Sequence, residues 1–554
     1  MRISLLRTVV LVALLVGLCR PSHAATPSRP APPSAPPLHG VVWAPPAHPG
    51  PALRALNAMH DHGVTAIRLE SFPPADTVWS RADSLGLRLF VDLPVSPVPA
   101  TDLDAALRAA RPSLQKIRGL AQAHSSIHAV GLAGIDTSVE VACGPLKTWT
   151  QRVHNGRPSL RTYYVTPFTA AQDQCRDAID LPLLDTRGRD APVERWHRWQ
   201  STNGPVGLGA LGTWTPAGAT PGLNVPHSPQ RQARHLERAL PALLATGAAD
   251  EPPIFVYRWQ DTPSALPPTR HYGLHDERGT ARPAAEVVSG FYTGRQEVFA
   301  FPSGSAASST PVGVILLAWV LVALLGGLYA RNPFVRQTLS RYFAAHGFYR
   351  DAVREDRDVG LIENLVLLGG IGLAVGLMGT LTARISAPQP ETALILEVLP
   401  PGLRAVVGTG LTHPSLTGLF AGGLIVLLLL VWNALLVLTA QLNGSFSLAQ
   451  GLMLVTWPSW PALAGVPIAL VAAVHPPVST GLLGLVLLIG GGGALLAVTT
   501  RVLRDYWMVS GISLGWTLLM LLPSPLSLTL LGLVLLATTY DLPISLLWHL
   551  ATRT

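Results

Sequence analysis

Two patterns of hydrophobic positions divide the chain. Between residues 38 and 297, short runs rich in β-branched and aromatic residues alternate with amphipathic stretches. This alternation predicts an α/β domain with a parallel sheet, because a helix between two strands returns the chain to the same end of the sheet. From residue 312 to residue 554 the apolar runs are much longer, and each is close to the ~20 residues that cross a bilayer. The second half is therefore predicted to be an all-α, polytopic transmembrane bundle.

The first half contains eight candidate strands. They are GVVWA at 40–44, TAIRLE at 65–70, RLFVDL at 88–93, IHAVGLA at 127–133, TYYVTP at 162–167, AIDLPLLD at 178–185, PVGLGALG at 205–212 and IFVYRW at 254–259. Helical stretches fit between several of them, and one places Leu53, Leu56 and Met59 on a single face. This alternation of eight strands with helices predicts a (β/α)₈ TIM barrel over residues 38–297.

The second half contains about seven apolar spans. They lie near 312–330, 361–383, 417–440, 452–474, 479–499, 506–522 and 526–548. The loop after the first span carries six arginines, so the positive-inside rule places that loop in the cytoplasm. We therefore expect a multi-pass protein of the cytoplasmic (inner) membrane. The barrel lies in the periplasm or outside the cell, and an odd number of spans places the C-terminus in the cytoplasm.

The N-terminal sequence is typical of an exported protein. Residues 1–24 have two arginines, an apolar run and a small-x-small end, which predicts a signal peptide. Cys19 follows the bulky Leu18, which disfavours lipidation at that cysteine. Residues 25–37 are a Pro-rich linker, and residues 298–311, which include a Gly/Ser-rich run, form a second linker before the first span.

Composition agrees with a membrane protein and disfavours other classes. The chain is 49% hydrophobic with a mean hydropathy of +0.36, which is high for a wholly soluble protein. The net charge of +8 comes from scattered arginines apart from the cluster beside the first span, so we expect no nucleic-acid partner. Ionisable residues are scarce within the spans, which argues against an ion-driven transporter. No cofactor is expected.

Cys143 and Cys175 are the two cysteines that remain after removal of the signal peptide. In an oxidising compartment they are able to pair, and two unpaired cysteines are the alternative. Neither belongs to a CxxC motif or a histidine cluster, so no metal site is expected.

Five segments of the first half resemble the catalytic barrel of glycoside hydrolase family 2. They are HGVTAIRLESFPPADTVWSRADSLGLRLFVDLP, HSSIHAVGLAGID, NGPVGLGALG, IFVYRWQD and YGLHDERGTARPAAEVV. In order, they match the family's second and third strands, its fourth strand "H-P-S-I-x-x-W-S-L-G-N-E", its seventh "K-P-I-x-x-T-E-F-G", its eighth "F-x-W-x-x-x-D" and its closing segment. The resemblance covers about residues 38–295 and implies a glycosidase-like barrel.

The same resemblance implies that the retaining mechanism has been lost. That mechanism requires two carboxyl groups about 5–5.5 Å apart. The family's acid/base glutamate falls on Asp136, which keeps a carboxyl on a shorter side chain, whereas its nucleophile falls on Ala210. Alanine cannot form a glycosyl-enzyme intermediate.

Other residues at predicted strand ends are candidates for an inverting pair or for ligand binding. Glu70, Asp92, Glu140 and Asp185 are candidate general bases, with hydrogen bonds to loops or to Arg68 as the alternative role. The aromatic candidates either stack on sugar rings or pack beneath loops. The predicted ligand-binding residues are Trp43, Arg68, Glu70, Asp92, Trp214, Trp259 and Asp261.

Residues 438–470 resemble the Yip family of membrane proteins, which implies a scaffold or trafficking role without chemistry; a generic hydrophobic anchor is the alternative. The leading hypothesis is a membrane-anchored, catalytically inactive, glycosidase-like protein that presents a carbohydrate- or protein-binding surface. An active hydrolase or transglycosylase with relocated carboxylates and a component of polysaccharide export are the alternatives. The expected partners are the lipid bilayer and a poly- or oligosaccharide, with any protein partner unspecified.

Overall fold

A computed structural model describes residues 38–95, 98–216, 219–245, 252–262, 271–305, 312–474 and 487–553. The predicted signal peptide and Pro-rich linker lie outside these residues, as does part of the second linker.

Eight parallel strands form a closed barrel in the first half, which confirms the predicted fold. The strands are β1 (His39–Trp43), β2 (Ala66–Leu69), β3 (Arg88–Asp92), β4 (Ile127–Ala133), β5 (Arg161–Thr166), β6 (Leu181–Asp185), β7 (Gly207–Leu211) and β8 (Ile254–Val256). Each strand pairs with the next along the chain, and β8 closes the ring on β1 through His39 and Ile254. All eight carboxyl ends therefore meet on one face of the barrel, where barrel enzymes place their active sites.

Helices surround the barrel and bury their apolar faces on it. They are α1 (Pro49–Asp61), α2 (Asp76–Ser84), α3 (Leu103–Ala109), α4 (Arg111–Ala123), α5 (Cys143–Gly156), α6 (Pro192–Asn203), α7 (Pro229–Leu244) and α8 (Pro283–Thr293). Of the three residues predicted to share the apolar face of α1, Leu56 and Met59 are buried, together with Ala52, and Leu53 is only partly buried.

The barrel interior is a packed core. Phe90, Tyr163 and Phe255 fill it, with the rings of Phe90 and Phe255 5.0 Å apart. Neighbouring strands leave room with glycines: a Cβ at Gly131 would lie 2.2 Å from the Tyr163 ring, and one at Gly40 would lie 2.4 Å from the Phe255 ring. Large rings and glycines on adjacent strands thus fill the space together.

Cys143 and Cys175 form a disulfide in the structure. It joins the start of α5 to the segment that precedes β6, across 32 positions of sequence. Of the two alternatives that the sequence left open, the structure contains the paired one.

The second half is helical throughout its described residues. The helices are α9 (Val312–Arg331), α10 (Pro333–Ala344), α11 (His346–Arg354), α12 (Leu361–Ser386), α13 (Pro390–Val398), α14 (Pro401–Thr412), α15 (Pro414–Ala440), α16 (Leu448–Thr456), α17 (Pro461–Val474), α18 (Gly492–Ser510), α19 (Leu514–Leu519), α20 (Pro525–Thr539) and α21 (Ile544–Arg553).

Seven spans are not confirmed. Three described helices are long and apolar enough to cross a membrane: Gly313–Arg331, Leu361–Ser386 and Pro414–Ala440. The pair Pro525–Thr539 and Ile544–Ala551 meets the same test only when taken together, and it is bent by 111°. These helices are consistent with a membrane protein.

No single helix of the structure covers the predicted span at 506–522. Helix α18 continues to Ser510 without a break, and the residues that follow form only the six-residue helix α19. Asp505 falls between the predicted spans 479–499 and 506–522 but is buried within α18, where it lies 2.9 Å from His346 and 3.0 Å from Arg350 on α11. These ion pairs compensate the buried charge and are compatible with a helix that continues through this position.

Candidate functional site

The carboxyl ends of the strands carry a set of buried ion pairs. Arg68 on β2 donates to both oxygens of Asp92 on β3, with Nε–Oδ1 3.1 Å and Nη2–Oδ2 2.8 Å. The hydroxyl of Tyr163 donates to the same Asp92 at 2.6 Å, and Arg68 Nη1 donates to the carbonyl of Gly209 on β7. This carboxylate is saturated by three donors from two side chains, which is the arrangement of a structural pair rather than a free base.

Glu70, just after β2, pairs with Arg258, just after β8. Burial raises the pKa of Glu70, but the positive charges of Arg258 and Arg68 outweigh it and hold the pKa below its ordinary value. Arg258 also donates to Thr262 at 2.8 Å. Glu70 is thus held as a carboxylate by two arginines, one of which was predicted as its neighbour.

Asp185, at the end of β6, pairs with Arg187 two residues later through Nε–Oδ1 and Nη2–Oδ2 distances of 3.1 and 2.7 Å. Burial raises the pKa of Asp185, and the charge of Arg187 more than reverses this effect, so the pKa is lowered. The same guanidinium reaches Glu397 on α13, with an Nη1–Oε1 distance of 2.8 Å, and lies over the ring of Tyr257. Arg187 therefore bridges the barrel and the helical half.

Asp136 follows β4 and is 1% exposed. Its Oδ1 accepts hydrogen bonds from the amide and hydroxyl of Ser138 at 3.1 and 2.6 Å. Its Oδ2 lies 2.7 Å from Nδ1 of His549, which is on α21. The same Nδ1 lies 3.1 Å from the hydroxyl oxygen of Ser138. The carboxyl at the acid/base position is thus engaged by a residue 413 positions away.

Ala210 lies on β7 beside Asp185 in the strand register, and its side chain is buried in the barrel interior. Its carbonyl accepts hydrogen bonds from the amide and hydroxyl of Thr186 at 2.9 and 3.0 Å. Position 210, which the sequence resemblance matched to the nucleophile, therefore faces the barrel interior and carries only a methyl group.

Two of the three aromatic candidates do not reach the site surface. Trp43 and Trp259 are 1% and 3% exposed, and both belong to the core beneath the helices and loops. Trp214 is half-buried and stacks on His227, with ring centroids 4.0 Å apart. Packing, the alternative considered for these residues, describes all three.

The remaining candidates lie at the edge of this face. Asp261 is buried and accepts from the amide of Gly273 and from Arg282 at 2.8 and 2.6 Å, which fixes the segment before α8. Glu140 is exposed in a short 3₁₀ helix. Within the described residues, no group of three or more His, Cys, Asp and Glu side chains is arranged to hold a metal ion.

Helices from the second half cover the strand-end face. Phe168, after β5, is buried in a cluster with Leu546 and Leu550 of α21, and Leu394 and Ile395 of α13 pack against it. At the edge, Arg189 donates to Glu391 at 2.6 Å. The cavity between Arg187, Tyr272 and α13 measures about 10 Å³, which is room for about one water molecule.

The sequence identified the acidic residues of this face and missed most of their partners. The sequence offered a clue to two of these partners. Arg187 lies two positions after the aspartate that ends the sixth predicted strand, and Arg258 lies in the eighth predicted strand. His549, Glu391 and Glu397 had none, because they belong to the second half and reach the barrel only through the tertiary fold.

Several solved structures are similar to this chain over about half its length. A GH2 β-galacturonidase from Eisenbergiella tayi is 16% identical with a TM-score of 0.41, over 48% of this chain and 52% of that one. A β-glucuronidase from an uncultured Clostridium species (14%, TM-score 0.40, 45% and 47%) and one from Ruminococcus gnavus (15%, TM-score 0.40, 47% and 50%) are also similar. This chain thus spans about half the length of each of these proteins. No protein-family model and no curated protein matches it.

Proposed function

We propose that this protein is a membrane-anchored, non-catalytic barrel whose strand-end face is a protein-binding surface, occupied here by helices α13 and α21 of the same chain. The observation that carries the proposal is the buried contact of Asp136 with His549. A general acid must reach the proton acceptor on its substrate. Asp136 instead bonds to a histidine that lies where a substrate would enter.

Three further observations support the absence of catalysis. Ala210 supplies no nucleophile. Glu70 and Asp92 are each bonded to a buried arginine, and the lowered pKa of Glu70 makes it a weak proton acceptor for a general-base role. Asp185 is likewise paired with Arg187.

The proposal is tested with the full chain in detergent and with a variant that ends before Ile544. Both are assayed against a panel of aryl glycosides and polysaccharides. We expect no turnover from either, since removal of α21 exposes Asp136 but restores no nucleophile. Turnover by either protein that is abolished by Asp136→Ala contradicts the proposal and supports an active hydrolase with relocated carboxylates.

Binding of the helices to the barrel is tested separately by cross-linking. Ser138→Cys and His549→Cys replace two side chains whose polar atoms are 3.1 Å apart, so a short bifunctional thiol reagent is expected to join them in native membranes. Ser138→Cys with Leu514→Cys is the matched control, since Leu514 is exposed on α19. Equal cross-linking of the two pairs excludes the docked arrangement.

A further inference from the structure

A second cavity, of about 190 Å³, lies on the wall of the barrel beside α6. Its lining comes from the first turns of α6, the segment before that helix and the segment after β5. Its lining includes none of the carboxylates at the strand ends, so an inference about this cavity is independent of whether the barrel is catalytic.

The sequence of α6 places one face against this cavity. Ala191, Glu194, Arg195, Arg198 and Trp199 all line it, and their spacing of three and four positions puts them on one side of a helix. Ala191 is the N-cap residue and its side chain makes no capping hydrogen bond. The first-turn amides therefore lack a side-chain acceptor at the positive end of the helix dipole.

Two buried N–H donors of the lining have no acceptor among the described residues. They are Nε1 of Trp199, a residue that is 1% exposed, and Nε of Arg195. An unsatisfied buried donor is costly, and native proteins rarely leave two in one place without a bound partner. Both donors are therefore available to an acceptor that enters the cavity.

Two of the three arginines that line the cavity have no ion-pair partner among the described carboxylates. Arg195 donates to the carbonyl of Pro167, and neither it nor Arg198 forms an ion pair with a described carboxylate. Arg189 is already bound to Glu391. Burial, followed by the positive charge of Arg189, lowers the pKa of Arg195 to about 10.

Two acidic residues, Asp190 and Glu194, also line the cavity, but both are exposed to solvent. Water screens their charge at the rim, together with that of the exposed Arg198, whereas the unpartnered donors of Trp199 and Arg195 are buried. An anion in the cavity is therefore repelled only weakly by the two carboxylates, and the buried donors supply its strongest hydrogen bonds.

We propose that this cavity binds a phosphate ester, held by Arg195 and Arg198, the indole N–H of Trp199 and the N-terminal amides of α6. A tetrahedral oxyanion accepts hydrogen bonds from several directions at once, which matches donors that converge from a helix end and two guanidinium groups. The phosphate comes from a lipid headgroup or from a soluble phosphorylated molecule. Arg189 joins the cavity wall to α13, a helix of the apolar second half, and this connection motivates a lipid probe in the test.

The test uses the full chain purified in a non-ionic detergent or in nanodiscs. Glycerol phosphate binding is measured by equilibrium dialysis, and retained lipid is measured after reconstitution with phosphatidylglycerol. The variants are Arg195→Gln with Arg198→Gln, Trp199→Phe, which removes only the N–H donor, and Glu194→Gln. Arg111→Gln, at an exposed arginine at the start of α4, is the control.

Saturable binding of glycerol phosphate that falls at least about tenfold in the double arginine variant and about tenfold in Trp199→Phe supports a soluble ligand. Retention of one phosphatidylglycerol with the same loss supports a lipid headgroup. Glu194→Gln is expected to tighten binding, because it removes a repelling charge. Binding of neither probe, or binding that the arginine and tryptophan variants leave unchanged relative to Arg111→Gln, overturns the proposal.

Discussion

At the scale of single residues, polar side chains of the strand-end face are bound to one another instead of facing a ligand. Arg68 with Asp92 joins the neighbouring strands β2 and β3, and Arg258 with Glu70 joins the ends of β8 and β2, on either side of β1. His549 with Asp136 joins the two halves of the chain. Removing one partner of a buried pair leaves the other unsatisfied, and this makes the pairs testable one at a time.

His549→Ala is expected to lower the free energy of unfolding by about 1–3 kcal/mol, because Asp136 loses a hydrogen-bond donor while it stays buried. His549→Asn, which keeps an N–H donor close to the Nδ1 position, is expected to lose less. The thermal midpoint of the full chain in detergent measures both. His48→Ala, at an exposed site before α1, is the control, and an equal loss there would refute the assignment.

Two half-buried histidines, His128 and His235, predict a loss of stability in mild acid. Burial, and then the charge of Arg88, lowers the pKa of His128 to about 4, and burial lowers that of His235 to about 4. Histidines in the unfolded chain protonate near pH ~6.5, so between about pH 6.5 and 4 the unfolded state binds protons that the folded state does not. The free energy of unfolding therefore falls as the pH falls through this window.

His128→Gln is expected to reduce this loss by about 1–2 kcal/mol at pH 5, since glutamine takes up no proton in either state. Unfolding midpoints at pH 7 and pH 5 measure the effect. His60→Gln, at an exposed position on α1, is the matched control. If both variants retain the full pH dependence, His128 is not its source.

At the scale of elements, glycines set how closely α12 and α15 approach. Gly372 and Gly376 on α12 face Gly418 and Gly422 on α15, each pair with the G-x-x-x-G spacing. A Cβ at Gly422 would lie 2.4 Å from the carbonyl of Gly372, and one at Gly376 would lie 2.9 Å from that of Gly418. Small residues allow two backbones to pack at this distance, as is common between helices in membranes.

Gly422→Ala is expected to destabilise the helical half by about 1–3 kcal/mol, because the added methyl group forces α12 and α15 apart. The adjacent Gly423→Ala is the control, since a Cβ there meets nothing within 4 Å. Thermal unfolding in detergent compares the two. An effect of equal size at both positions would show that helix propensity, and not packing, is responsible.

At the scale of the whole molecule, α13 and α21 contact the strand-end face of the barrel, and Asp505 on α18 contacts α11. We infer a membrane topology from these contacts. In that topology, the segment after α12 and the segment that contains α21 lie on the side of the barrel, and α11 and α18 lie on the opposite side. It has an even number of crossings between residues 312 and 544, whereas the sequence predicts an odd number and a cytoplasmic C-terminus.

A C-terminal epitope tag is therefore expected to be cleaved by protease added outside intact spheroplasts. A tag placed near Asp356, between α11 and α12, is expected to be protected and serves as the control. Protection of the C-terminal tag together with the Asp356 tag would restore the topology that the sequence predicted and would exclude the contact of α21 with an exported barrel.

Local patterns were enough to predict the barrel. Each of the eight runs that were predicted as strands contains an observed strand or nearly coincides with one, because strand and helix periodicities are local properties. The start of the span predicted at 506–522 does not coincide with a helix end, since α18 runs through it. The partners of Asp505 are His346 and Arg350 on another helix, and no hydropathy window includes them.

The sequence by itself determined the barrel, the apolar second half and the carboxylates at the strand ends, because all of these depend on neighbours along the chain. Only the tertiary structure decided what those carboxylates do. Asp136 meets His549, and Asp185 meets Arg187 and through it Glu397, across separations of up to 413 residues. Contacts of that range depend on how two separately formed halves pack together, and no periodicity or spacing in the chain encodes them.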